Sequence, residues 1–154
     1  SKLGAEVDAV ILAAAGVCRM GMEKQMHEFI DTATLLPAVA QGTLGIQTRD
    51  ADDALNALID QLNDTDTVDR TRAERAFLAR LEGGCQVPIA AYATLDGDKL
   101  HLEGLVGEVD GSRLIHKHID GTRAEGEALG TALADEVLAD GAGEILARLY
   151  NNEA

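Results

Sequence analysis

The stretch "VPIAAYATLDGDKLHLEGLVGEVDGSRLIHKHI", Val87 to Ile119, decides the fold. Apolar and polar residues alternate along it in three runs, separated by Asp-Gly pairs at "LDGDK" and "VDGSR". Alternation with period two marks a half-buried strand, and Asp-Gly supplies the positive φ that a tight hairpin turn needs. The spacing predicts a three-stranded antiparallel meander. Downstream, Leu129, Leu133 and Val137 share one face of a helix predicted over Thr122 to Ala139, and a second helix is expected from Glu144 to Tyr150. Upstream, Ala73, Phe77 and Leu81 recur every four residues in "VDRTRAERAFLARLE". Thr65 or Thr67 is the candidate cap of that helix, and Gly83 and Gly84 are its C-terminal stop. A three-stranded sheet with helices on one face is the resulting unit, starting near Val87, with a boundary at residues 63–67 or 83–87.

The earlier residues have a different texture. "VDAVILAAAG", Val7 to Gly16, is a continuous apolar run that predicts a strand buried on both faces, as in a parallel sheet, with the alanines and Gly16 permitting a close strand-to-helix turn. "MGMEKQMHEFI" is expected to form a short amphipathic helix, and Thr43 to Thr48 a second strand. In "DADDALNALIDQLND" the residues Leu55, Leu58, Ile59 and Leu62 fall at helical spacing behind an acidic N-terminus that complements the helix dipole. The fold class is α/β, with an α+β unit at the C-terminal end.

Composition narrows the function. Aromatic residues make up only 3%, with no Trp, so the core must be built mainly from Ala, Leu, Val and Ile. The formal charge of -14 opposes binding to nucleic acid or to an anionic membrane, because the long-range field repels polyanions. No apolar run approaches the roughly 18 residues of a membrane span. The N-terminus lacks the apolar core of a signal peptide, so the expected location is the cytoplasm. The chain starts at Ser1 and enters an apolar run almost at once, as expected if it begins inside a larger protein.

Few side chains carry chemistry. Cys85 follows two glycines, which remove bulk and allow positive φ, so its thiol is either displayed on a turn or plugs the loop as a small hydrophobe. The preceding helix turns its partially negative end toward that thiol, so the dipole alone does not activate it. Cys18 is expected to be a small buried residue, and the two cysteines match neither a disulfide framework nor a zinc pattern. Arg19 follows a Gly-containing turn at the end of the first expected strand, where α/β proteins place ligands; a solvated surface arginine is the plain alternative. Arg49 is similar, with Asp50 or Asp52 as partner. His116 and His118 share a strand face, but no third ligand is spaced beside them, so a solvated face is expected and no metal.

"AERAFLARLEGGCQVPIAAYA" (Ala73 to Ala93) closely resembles the signature of the porphobilinogen deaminase family, also called hydroxymethylbilane synthases. "DAVILAAAGVCRMG" (Asp8 to Gly21), "LPAVAQGTLGIQTR" (Leu36 to Arg49), "LVGEVDGS" (Leu105 to Ser112) and the closing "ILARLYN" resemble the same family in the same order. The family has three α/β domains in about twice this length. The resemblance therefore implies the C-terminal half: residues 1–34 as the end of domain 2, 35–63 as a segment returning to domain 1, and 64–154 as domain 3. The implied fold is the end of a doubly wound, periplasmic-binding-protein-like domain pair, followed by the three-stranded sheet covered by helices.

The implied activity is a transferase that joins four porphobilinogen molecules head to tail, releases ammonia at each step and yields hydroxymethylbilane for haem biosynthesis. Cys85 stands where the family carries a dipyrromethane cofactor in thioether linkage, a bond suited to a soft sulfur nucleophile. Arg19 aligns with an arginine that binds acetate and propionate carboxylates of substrate and cofactor, a task for a bidentate guanidinium. The backbone of Leu12, Ala13 and Gly16 aligns with the turn lining the cofactor cleft, and Gln41 with a glutamine that lines it. The implied partners are porphobilinogen, the growing polypyrrole and the N-terminal half of the same enzyme, the whole being a monomer without nucleic acid or membrane contacts.

The resemblance implies that the catalytic residue is an aspartate of the family's other half, outside this sequence. The chain departs from the family pattern at Val17, Cys18, Ala40, Thr43 and Gln47, where the family often has Leu, Lys, Gly, Ala and Glu. The alternative is a non-catalytic fragment, a folded third domain whose first 60 or so residues lack their partner. A thiol-dependent binding or redox module unrelated to tetrapyrroles would require the resemblance to be accidental.

Overall fold

The computed structural model describes residue 4, residues 6–82 and residues 87–152. The chain forms two compact units, residues 1–35 and 36–154.

The larger unit is built on the meander. Strands β1 (Ile89–Asp96), β2 (Lys99–Gly107) and β3 (Leu114–Thr122) form an antiparallel sheet in the order β1-β2-β3. Asp96 pairs with Lys99 across the first turn, where Gly97 adopts φ 58°. In the second turn Gly111 adopts φ 71° and the Ser112 N–H donates to Asp110 Oδ1 at 2.9 Å. Hydrogen bonds from Ser112 hold the Asp110 carboxyl below its ordinary range.

One face of the sheet carries Ile89, Ala91, Ala93, Leu100, Leu102, Val106 and Ile115, all buried. Helices α3 (Thr65–Arg80), α4 (Gly126–Val137) and α5 (Gly143–Asn152) supply the rest of the core, with Ala73, Phe77, Leu133, Val137 and Ile145 completely enclosed. Small residues on the sheet let α3 come close: a Cβ at Gly104 would lie 2.6 Å from the Phe77 ring. The expected apolar face of α3 is thus the buried one. Its cap differs from the expectation, because Asp64 accepts the Thr67 N–H at 2.8 Å; Thr67 donates the bond, and a carboxylate also complements the helix dipole. The helix leaves its axis at Glu82, φ 53°, one residue before the paired glycines. Gly83, Gly84, Cys85 and Gln86, which include the expected stop, lie outside the described residues.

Thr122 and Glu125 form a capping box at the turn into α4. Arg123 donates to both Asp66 and Asp69 at 2.7 Å, tying that turn to the first turn of α3. Gly141, φ 100°, breaks the path between α4 and α5, and Arg113 closes over it by donating to the Asp140 carbonyl at 2.8 Å. The opposite sheet face is polar. There His101 bonds Asp120 at 2.8 Å and His116 bonds Glu103 at 3.0 Å.

Outside this core several expectations fail. Neither Val7–Leu12 nor Thr43–Thr48 forms a strand; Val7 makes only an isolated bridge, and neither run joins the sheet. A strand is stable only when its N–H and C=O groups meet a neighbour, and among the described residues the only sheet is β1-β2-β3. Ile11 is 67% exposed, so the double-sided burial predicted for the Val7 run is not met among the described residues, and Leu44 of the second expected strand is 87% exposed. The expected amphipathic helix after Gly21 is reduced to one turn, Glu23–Gln25, because a short helix needs a packed face and Phe29 and Ile30 remain exposed. The first helix, α1, spans Ala14–Arg19 and contains Gly16 instead of turning at it. Helix α2 (Asp53–Ile59) forms as expected, but Leu55, Leu58 and Leu62 of its apolar side stay exposed.

Candidate functional site

In the smaller unit, Leu12 and the extended Ala13 lead into α1, which carries Gly16, Cys18 and Arg19 within two turns. Leu12, Ala13, Gly16 and Arg19 are all exposed. Arg19 makes no hydrogen bond or ion pair among the described residues, so its guanidinium is available to a ligand. Cys18 is exposed too, contrary to the expectation of a buried residue, since α1 has no core against it. Arg49 lies 3.6 Å from Asp52, one of its two expected partners. Gln41 belongs to the larger unit, so the structure does not place the expected cleft residues on one body. Cys85 lies outside the described residues.

Gln41 lies on the rim of a groove of about 740 Å³ between residues 37–44 and α3. Val39 packs against the core and anchors this segment. Its main tether is Glu74, which is 6% exposed. Glu74 accepts the Ala40 N–H at Oε2, 2.7 Å, and the Ala93 N–H of edge strand β1 at Oε1, 2.9 Å. One carboxylate therefore ties the Gln41 segment, α3 and β1 together. Burial raises its pKa above the ordinary carboxylate value, an effect opposed by the N–H groups of Ala93 and Ala40 and by Arg70.

Arg70, Arg72, Arg75 and the hydroxyls of Thr43 and Thr71, 3.3 Å apart, also line the groove. Local pattern reading misses this group. Three arginines within six residues of an acidic chain were one signal; a glutamate beside Ala73 on the buried face of α3 was the other.

Ala40 adopts φ 58°, a left-handed conformation that costs a residue with a Cβ about 1–2 kcal/mol. Ala40→Gly is expected to stabilise the larger unit by about 0.5–1 kcal/mol once the extra freedom of unfolded glycine is subtracted. Urea unfolding followed by circular dichroism measures this; a lower midpoint in the variant would contradict it.

Among the described residues no group of three or more His, Cys, Asp or Glu side chains is arranged to hold a metal, and no helix is long and apolar enough to cross a membrane.

Residues 68–139 match the family model described as "Porphobilinogen deaminase, C-terminal domain". Residues 1–57 match the one described as "Porphobilinogen deaminase, dipyromethane cofactor binding domain". A curated protein of Geobacter metallireducens (strain ATCC 53774 / DSM 7210 / GS-15), named porphobilinogen deaminase, is 50% identical to this chain over 147 residues. The alignment takes in 96% of this chain and 46% of that protein, so the chain spans about half the length of this relative.

Proposed function

Because this chain belongs to the porphobilinogen deaminase family, we propose that it is the C-terminal portion of a hydroxymethylbilane synthase, the transferase that condenses four porphobilinogen molecules with release of ammonia. The observation that carries this reading is the 50% identity over 96% of the chain to a porphobilinogen deaminase. In this reading residues 1–34 end domain 2, residues 35–63 return to domain 1 and residues 64–154 form domain 3. Cys85 holds the dipyrromethane cofactor, Arg19 binds carboxylates, and Leu12, Ala13, Gly16 and Gln41 line the cleft. The location is the cytoplasm and the complete enzyme is a monomer.

The chain's own features fit the cofactor in two respects. A thiol is the donor that a thioether requires, and Cys85 lies in the connection between α3 and β1, whose ends are pinned by Leu81 and Ile89, 3% and 9% exposed. When bound, the dipyrromethane supplies the primer on which the product is built. Arg19, which has no partner among the described residues, can orient a side-chain carboxylate of substrate or primer by charge-assisted hydrogen bonds. The exposed runs at Val7–Leu12 and Thr43–Thr48, neither of which joins a sheet among the described residues, support a need for the N-terminal half, whose strands would supply ladders and bury Ile11, Leu12, Leu44 and Ile46.

Intact mass spectrometry tests the assignment on this chain co-produced with an N-terminal half and supplied with porphobilinogen. The expected result is a mass increase equal to two linked pyrrole units, mapped to Cys85 and absent from Cys85→Ser, which also loses essentially all synthase activity. An active preparation whose Cys85 carries no adduct would overturn the reading.

A further inference from the structure

We infer that the groove between residues 37–44 and α3 is a binding site for a carboxylate carried on an apolar or aromatic frame, with Arg75 as its anchor. If the proposed function holds, on which this choice of ligand rests, the ligand is a side-chain carboxylate of the pyrrole chain, bound apart from Arg19.

The charge distribution is the first reason. The chain carries nine arginines against a net charge of -14. Arg49, Arg80, Arg113, Arg123 and Arg148 each lie within ion-pair distance of an Asp or Glu. The groove arginines are less satisfied. Arg75 has no hydrogen bond or ion pair among the described residues. Arg70 donates to the Asp66 carbonyl and the Thr67 hydroxyl, both at 3.2 Å, and to no carboxylate. Arg72 lies within ion-pair distance of Asp69, at 3.8 Å, a looser contact than most of those.

The carboxylates lining the same groove are already engaged. Asp64 caps α3 through the Thr67 N–H, and Glu74 holds the N–H groups of Ala40 and Ala93. Three guanidinium groups therefore face two carboxylates in a concave site, Arg70 acting electrostatically on both, and the charge of Arg75 is left without a partner among the described residues. An incoming carboxylate supplies the missing partner, and the fork of Arg75 suits its planar pair of oxygens. The Thr43 and Thr71 hydroxyls, bonded to each other, leave one O–H free to donate to the same ligand.

The walls decide the ligand class. Pro37, Leu44, Leu62 and Val68 line the groove beside the arginines, and Tyr92 lies at the sheet edge. An inorganic anion gains nothing from apolar walls, whereas a carboxylate attached to a ring or an alkyl chain buries its body against them.

The test uses the full 154-residue chain and 3-phenylpropionate as probe, followed by the backbone amide resonances of Thr43 and Thr71 and the Arg75 Nε–H. The acid is expected to shift these signals and to bind at least about tenfold more tightly than its uncharged amide, the range of a charge-assisted hydrogen bond. Inorganic phosphate at matched ionic strength is expected to bind more weakly than the acid. Arg75→Ala should lose about tenfold or more in affinity, Arg75→Lys should recover only part of it, and Arg80→Ala, on the same helix outside the groove, should bind as wild type. Equal binding of acid and amide, equal binding of phosphate, or undiminished affinity in a folded Arg75→Ala chain would each overturn the inference. No turnover and no Cys85 chemistry enters this readout. Carboxylate binding in a Cys85→Ser chain thus stands or falls separately from the adduct experiment.

Discussion

Gly130→Ala is expected to lower the thermal midpoint of the chain by about 10 °C. A Cβ at this position would lie 2.2 Å from the Ala73 carbonyl oxygen, 2.8 Å from Ala76 Cβ and 2.9 Å from the Phe77 backbone nitrogen. Two of these three atoms belong to the α3 backbone, so no rotamer change relieves the clash; α3 and α4 must move apart. Separation lifts Phe77 from its seat over Gly104, beside Leu133. Alanine recovers about 1 kcal/mol of helix propensity, against an overpacking loss at or above about 3 kcal/mol, the upper end of the usual range, leaving a net loss of about 2 kcal/mol or more. Gly126→Ala is the internal control. Its Cβ would meet Ala73 Cβ at 3.4 Å, close to ordinary contact, and a nearly unchanged midpoint is expected. Thermal unfolding followed at 222 nm separates the two, and a wild-type midpoint for Gly130→Ala would show that the helices have slack the structure does not contain.

The contrast between the two ends of the chain shows what a one-dimensional reading can reach. From Leu81 onward, each element completes its interactions within the chain: Asp-Gly turns set the hairpins, and alternation selects Leu100, Leu102 and Val106 for the buried face. Local pattern and tertiary environment agree there. At Val7–Leu12 the pattern still reads as buried strand and at Thr43–Thr48 as strand, yet among the described residues neither run joins a sheet. Periodicity reports what a segment needs, not what the chain supplies. The site divides in a similar way. Arg19 was singled out by its place after an expected strand and Gln41 only through a family resemblance, whereas Glu74 and the arginines around it emerge from tertiary contacts. Glu74 is 34 residues from Ala40 and 19 from Ala93, a separation over which no local pattern operates. The cap of α3 failed for a smaller reason, since Asp64, Thr65 and Thr67 all have a capping oxygen and only the turn geometry chooses among them.

Glu74→Ala should be the most disruptive single change to the groove. It removes the acceptor of two backbone N–H groups, one buried in the edge of β1 and one half-buried at Ala40. Each orphaned donor costs about 1–3 kcal/mol, so a loss of roughly 2–5 kcal/mol is expected. The effect should be local in form: amide exchange at Ala40 and Ala93 accelerates by orders of magnitude, and residues 37–44 lose their hold on α3. Unchanged exchange at those two amides would sink the proposed tether. Glu74→Gln keeps one carbonyl oxygen but faces the second N–H with an amide donor, so an intermediate loss is expected. The pH dependence has a definite sign. Burial is the largest influence on the Glu74 carboxyl and raises its folded-state pKa above the ordinary value of 4.5. The folded protein therefore binds this proton more tightly than the unfolded chain does. Its contribution to stability is most favourable below that ordinary value, declines as pH rises through the interval up to the raised folded value, and is constant above it. Relative to Glu74→Gln, which cannot titrate, wild type should lose part of its advantage across that interval and none beyond it. An advantage that grows with pH there would mean that the N–H groups of Ala93 and Ala40 outweigh burial, and that the carboxylate is better solvated by the backbone than its depth implies.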